Sequence, residues 1–285
     1  MNKKYATFYS WIRIMVLILI MLCYMPICNA QFTYGTTGLM HAPTAEMQKD
    51  KTFMFGGGYL DVHPMSQYWS ANKEYKPFTF NYYVNMTLFP WLEVAYECTL
   101  VKGLHNSSYW PQRTWGRFVN QDRAFHARLR IWKEGWWQVW TPQIVVGLND
   151  PASHSYNGGG NIDLGGGNEH NHNYKTRYYL AATKHFDFKG LGVFGTHISY
   201  VLGRAMLSEH YKRLAAGVNF KFDLLPEDNL AVKALNGLNL MLEYDARTIN
   251  IGAHYQLWKD HINLIAELND GKYFSGGIYF KIHLK

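Results

Sequence analysis

The residues that could do chemistry are plentiful, but few are arranged to do it. Glu169, His170 and His172, with Asp163 nearby, are the one His-rich spot. Their spacing matches no standard zinc site, and a flexible His/Asn stretch is ordinarily only polar. Asp, His and Ser abound, as a hydrolase would require, yet no nucleophile motif accompanies them and geometry would have to decide. No catalytic residue, metal or other cofactor is therefore assigned. The more informative groups are charged residues two apart. Glu93 and Glu97 share a parity, as do His126, Arg128 and Arg130, and Arg177, His197, Arg213, Lys221, Glu243, Asp245, His254, Glu267, Lys281 and His283 fall on the polar parity of later segments. One reading is a polar path or docking surface for an anionic glycan, with arginine as the natural partner of carboxylate or phosphate. The other is that Glu93 and Glu97 pair with Arg128 and Arg130 across adjacent strands, filling a narrow interior and fixing register. The presence of both signs favours the second. Tyr109, Trp110 and Trp115, beside Arg113, could stack sugars or form an interfacial girdle, and Tyr68 and Trp69 carry the same two readings.

Strands must position these groups. Twelve segments alternate apolar and polar with period two: near 52–60, 78–89, 92–101, 125–131, 137–149, 177–186, 192–203, 214–224, 238–245, 249–257, 262–269 and 273–284. In the last, Phe274, Gly276, Ile278, Phe280, Ile282 and Leu284 face one way and Ser275, Gly277, Tyr279, Lys281 and His283 the other. A soluble sandwich would also alternate. Three features favour a membrane barrel. The segments run about 9–12 residues, the length a tilted membrane strand needs. Aromatics crowd their ends, at Phe89, Trp91, Trp132, Trp136, Trp137, Phe186 and Trp258. Short turns alternate with longer loops, although 225–237 is long on the short side and 246–248 and 270–272 are short on the long side. An even strand number then leaves both termini in the periplasm.

Residues 1–30 read as a cleaved signal peptide: Lys3, Lys4 and Arg13, an apolar run from Ile14 to Met25, and Cys28-Asn29-Ala30 as the cleavage site. The run is too short to span a bilayer as a helix. Neither Cys23 nor Cys28 follows the small residues a lipoprotein signal needs, so no lipid anchor is predicted. Without this leader Cys98 is the lone cysteine, so no intramolecular disulfide is expected. The net charge of the whole chain is +7, and losing the leader's three basic residues makes it milder still, which does not argue for nucleic acid. Nothing after residue 30 reads as a membrane helix, and a chain without one can enter hydrocarbon only as a closed barrel, with every backbone group paired. The Gly-rich stretch 150–173 reads as a mobile loop.

The stretch Gly35-Thr36-Thr37-Gly38-Leu39-Met40-His41-Ala42-Pro43-Thr44-Ala45 resembles the N-terminal signature of the YjbH family of outer-membrane proteins, which is linked to exopolysaccharide and capsule production. Arg123 through Leu129, Lys133-Glu134-Gly135 to Val146-Gly147-Leu148-Asn149-Asp150, Tyr179 to Phe186, and Gly190-Leu191-Gly192-Val193 extend the likeness. The resemblance implies an outer-membrane barrel assisting secretion or assembly of a surface polysaccharide, beside periplasmic and lipoprotein partners. Its motifs are structural, not catalytic. Larger members of that family are much longer, and this chain has room for one barrel. It also ends Leu284-Lys285, without the terminal aromatic common in such barrels.

The expectation is an all-β protein, a transmembrane antiparallel up-and-down β-barrel of about twelve strands (10–14) over 51–285 in a Gram-negative outer membrane. Residues 31–50 form a periplasmic segment, where Gly35, Gly38, Pro43, Thr44 and Ala45 break any strand pattern; it is either a plug or partner contact, or a disordered lead-in. Expected partners are outer-membrane lipid, the barrel insertion machinery, polysaccharide-export components and a surface glycan. The leading function is non-enzymatic assistance to polysaccharide export or surface assembly. The alternatives are a diffusion porin or small-solute channel, and an outer-membrane hydrolase.

Overall fold

The computed structural model describes residues 33–61, 78–103, 105–106, 111–151, 176–202, 213–226, 229–258 and 260–284. The leader expected over 1–30, the His170–His172 spot, and Tyr68, Trp69, Tyr109 and Trp110 lie outside the described residues.

Period-two alternation becomes twelve antiparallel strands: β1 Thr52–Leu60, β2 Thr79–Phe89, β3 Leu92–Lys102, β4 Phe118–Trp132, β5 Gln143–Asn149, β6 Arg177–Phe188, β7 Gly192–Leu202, β8 Leu214–Phe222, β9 Leu238–Tyr244, β10 Ile249–Leu257, β11 Ile262–Asn269 and β12 Tyr273–His283. Each strand pairs with its sequence neighbours, and β1 pairs with β12 from Thr52↔His283 to Tyr59↔Gly276, so the sheet closes into a barrel. Closure removes every exposed sheet edge. A short helix, α1 (Leu230–Leu235), lies in the 223–237 connection, where the Asn229 side chain accepts from the Val232 N–H at 2.8 Å.

One rim, called here the terminal rim, carries Lys51, Leu284 and the turns at 90–91, 133–142, 189–191, 223–237 and 258–261. The far rim carries the connections after β1, β3, β5, β7, β9 and β11. The apolar parity faces outward. In β4, Phe125 is 60% exposed while its neighbours Ala124 and His126 are 0% and 2% exposed. The inward parity holds the polar residues, including buried Glu93, Glu97, Arg128, Lys221, Glu243, Glu267 and Lys281.

Two boundaries differ from the sequence expectation. Strand β5 begins at Gln143, not near 137. Residues 133–142 form a turn stack closed by Gly135 N–H to Thr141 O (3.1 Å) and Thr141 N–H to Gln138 O (2.9 Å). Gly135 supplies a φ of +72°, and Pro142 has no N–H to give a ladder. Strand β4 also runs longer than the expected 125–131, from Phe118 to Trp132. A register shift between Arg130 and Trp132 sets Trp132 opposite outward-facing Ile144, and leaves Ile131 53% exposed on the outer face.

Candidate functional site

The interior of the barrel is occupied by the chain's own residues 33–48, every one of them buried. Gly35, Gly38 and Pro43 keep this stretch out of any strand, so its backbone N–H and C=O groups need partners from the wall. The inward charges supply them. The Glu243 carboxylate accepts from three successive N–H groups, those of Met40 (3.1 Å), His41 (2.9 Å) and Ala42 (3.0 Å). Arg128 does the converse with carbonyls. Its guanidinium donates to Thr37 O, to Thr44 O (2.5 Å) and to Glu46 O (2.8 Å), while holding Glu93 at 3.2 Å. Glu93 in turn accepts from the Thr37 N–H at 2.6 Å. A planar cation with several donors on carbonyls, and a carboxylate on amides, give the irregular segment what a strand partner would give a regular one.

Around these two anchors the wall completes the socket. Arg177 donates to His41 O (2.6 Å) and lies 3.6 Å from the centroid of the Tyr34 ring. His41 bonds Glu267 at 3.0 Å, Asn85 donates to Gly35 O at 2.8 Å, and Thr183 accepts from the Ala45 N–H at 2.8 Å. Gln143 donates to Ala45 O. Apolar contacts fill the gaps. Leu39 and Met40 pack with Met54, Leu60, Tyr83, Met241, Ile265 and Tyr279, and Ala42, Ala45 and Met47 pack with Val145, Tyr179, Ala181 and Val201. Two inward glycines make room: a Cβ at Gly217 would run into Leu39, and one at Gly252 into Met40.

Among the candidate lumen residues, Glu93, Arg128, Arg177 and Glu243 thus converge on the inserted segment. Glu93 does pair with Arg128 across β3 and β4, and the two stand directly opposite in register. Glu97 stands opposite Ala124, not an arginine, and accepts from the Thr99 hydroxyl at 2.8 Å. His126 meets the edge of the Tyr34 ring at 5.8 Å. Lys281 binds Asp260 at 2.9 Å near the terminal rim, Lys221 is buried in the wall, and Arg130 is half-buried at the end of β4. Arg213 departs from the expectation. It precedes β8, where the pleat no longer dictates direction, and its exposed guanidinium reaches the outward-facing Tyr200 hydroxyl at 3.2 Å. Trp115, in the far-rim 103–117 connection, is half-exposed with the His105 ring 5.7 Å away. In the N-terminal motif, Thr44 and Ala45 are fully buried, and Gly35 has a φ of +61° with its Cα against the Tyr83 ring.

Sequence reasoning did not single out Asn85, Gln143 or Thr183, although all three sit on the inward parity. It also did not single out a cluster at the terminal rim. There Glu134 binds His185 Nδ1 (2.7 Å) and Lys184 (2.8 Å), and His185 Nε2 reaches the Glu46 carboxylate at 3.2 Å. Burial alone would push the Glu134 carboxyl up, but the hydrogen bonds from His185 and Lys184 outweigh it and hold it at about 2. This cluster ties the 133–142 turn, with its exposed Trp136, Trp137 and Trp140, to the root of the inserted segment. Among the described residues, no three His, Cys, Asp or Glu side chains are grouped to hold a metal ion.

Comparison with known proteins bears on this arrangement. Residues 30–158 match the family described as "Exopolysaccharide biosynthesis protein YbjH". Over 125 residues the chain is 31% identical to the "Uncharacterized lipoprotein YjbH" of Escherichia coli (strain K12), a match covering 44% of this chain and 15% of that protein's length. The family match spans the inserted segment and β1 to β5, and so includes the motif together with Glu93, Arg128 and Gln143. Over these residues, less than half of the chain, the protein is similar to the YjbH family.

Proposed function

We propose that this protein is a non-enzymatic outer-membrane barrel that assists export or surface assembly of an exopolysaccharide or capsule, and that it does so as a closed scaffold. The observation that carries this reading is the inserted segment, whose family motif is bonded to the wall by Arg128 and Glu243. A lumen occupied in this way by the chain's own residues 33–48 leaves the loops and rims as the working surfaces. A general diffusion pore would require residues 33–48 to leave.

Other features support the membrane setting. Aliphatic and aromatic side chains cover the outer wall, whereas polar ones line the inside, the reverse of a soluble sandwich. Exposed Trp91, Trp136, Trp137, Trp140 and Trp258 ring the terminal rim, as side chains do at a bilayer interface. In this reading the terminal rim faces the periplasm and the far rim the outside. Periplasmic and lipoprotein components of the export system would meet the terminal rim, and the glycan the far one.

The test is genetic. Removing the gene lowers exopolysaccharide at the cell surface, and restoring it recovers the wild-type amount. Surface polysaccharide unchanged by the deletion counts against the proposal.

A further inference from the structure

The outer wall is not uniformly convex. Across β4 to β7 it carries an apolar groove of about 390 Å³ in the half nearer the far rim. The register explains it. Two rows of outward side chains cross these strands, Ala127–Leu148–Tyr178–Leu202 and Leu129–Val146–Leu180–Tyr200. Ala127 and Val146 are short, and they leave a trough beside the larger neighbours. The volume lies in the range of ligand sites. Two features distinguish it from plain lipid-facing wall. The Tyr178 hydroxyl is buried in the groove wall with no hydrogen-bond partner among the described residues. At the rim end, the exposed Arg213 guanidinium is held by the Tyr200 hydroxyl at 3.2 Å. An arginine at that depth, turned outward and still offering most of its donors, suits a phosphate ester.

We propose that this groove binds a phosphorylated, multiply acylated glycolipid of the outer leaflet, with one acyl chain along the trough and a phosphate on Arg213 and the tyrosine hydroxyls. The proposal rests on the membrane reading above, and specifically on the far rim facing outward. An unbonded hydroxyl in the groove wall and an exposed cation on Tyr200 at its rim end argue for a headgroup at this site, since an acyl chain alone would satisfy neither.

The experiment uses the full-length protein in a neutral alkyl maltoside, with native mass spectrometry as the readout and bis-phosphorylated lipid A as the probe. Wild-type protein is expected to retain one lipid A. Arg213→Ala, or dephosphorylating the probe, weakens retention about tenfold or more, the loss of a charge-assisted contact. Arg213→Lys keeps part of it, and Ala127→Trp, which fills the trough, removes it. Equal retention by wild type and Arg213→Ala overturns the proposal. So does equal retention of phosphatidylglycerol, which would make the site one for any anionic lipid, and so does a second copy of the chain seated on the groove in place of lipid. Heat-modifiable migration reports whether Ala127→Trp has folded; if it has not, Arg213→Ala decides. Outer-membrane fractionation is scored separately. A wild-type protein found in that membrane but retaining no lipid A sinks this inference alone, and one absent from the membrane sinks the functional reading.

Discussion

Arg128 shows how a single side chain can hold a segment that has no secondary structure. It is fully buried, and its partners are three carbonyls of the inserted segment and the Glu93 carboxylate. Removing it strands both the carbonyls and a buried anion, the situation in which loss of one partner is most damaging. Arg128→Met is therefore expected to destabilise the protein by about 3–5 kcal/mol, read as a lowered urea midpoint for unfolding in micelles. Arg128→Lys recovers only part, because an ammonium cannot fork to carbonyls on either side. An unchanged midpoint for Arg128→Met would show that the anchor lies elsewhere. A steric counterpart acts from β8. Gly217→Leu drives a side chain into the space of Leu39 and is expected to expose residues 33–48 to added protease; protection equal to the wild type's would show that the segment is held without this close approach.

At the scale of elements, the 133–142 turn is tethered through Glu134, which joins Lys184 and His185 of β6. Its carboxyl lies at about 2 in the folded protein against an ordinary 4.5. A depressed carboxylate contributes stability that is fully present above the unfolded value and is lost as pH falls through the folded one. The tether should thus loosen between about pH 4.5 and pH 2, and the fluorescence of Trp136, Trp137 and Trp140 should titrate in that window. Glu134→Gln should flatten the transition; a variant that titrates like wild type would rule out this carboxylate. The turn also marks where sequence reading stops. Strand identity and inward parity were legible because period two is a local property, and it placed Glu93, Arg128, Arg177 and Glu243 on the inner face. The start of β5 was not, since Trp137 and Val139, with Gln138 between them, read as an alternating stretch before Pro142 interrupts it. Nor was the partner of the inner charges. Glu243 meets the Met40 N–H from 203 residues away, a pairing no window of local pattern contains. Arg213 escaped for a third reason: it lies just outside β8, and parity holds only within a strand.

At the scale of the whole molecule, strand number explains why anything fills the barrel. Eight strands leave an interior that side chains alone can fill, whereas sixteen to eighteen leave an aqueous channel. Twelve strands fall between, and here residues 33–48 take up the difference. Deleting residues 33–48 should therefore turn a nearly silent protein into one with discrete conductance steps in planar bilayers. A deletion variant that migrates as a folded barrel yet stays silent would show that the wall side chains suffice. The inserted segment also constrains the order in which the protein can be made. Residues 40–42 are synthesised early, but their N–H groups find Glu243 only when β9 arrives, 201–203 residues later, and His41 waits for Glu267 of β11, 226 residues on. Contacts so distant along the chain are slow to form. Once β1 zips to β12, the segment is enclosed by a ring of hydrogen bonds with no lateral opening. The barrel is in effect cast around its own beginning, so the closing seam between the first and last strands is the step that locks the family motif inside.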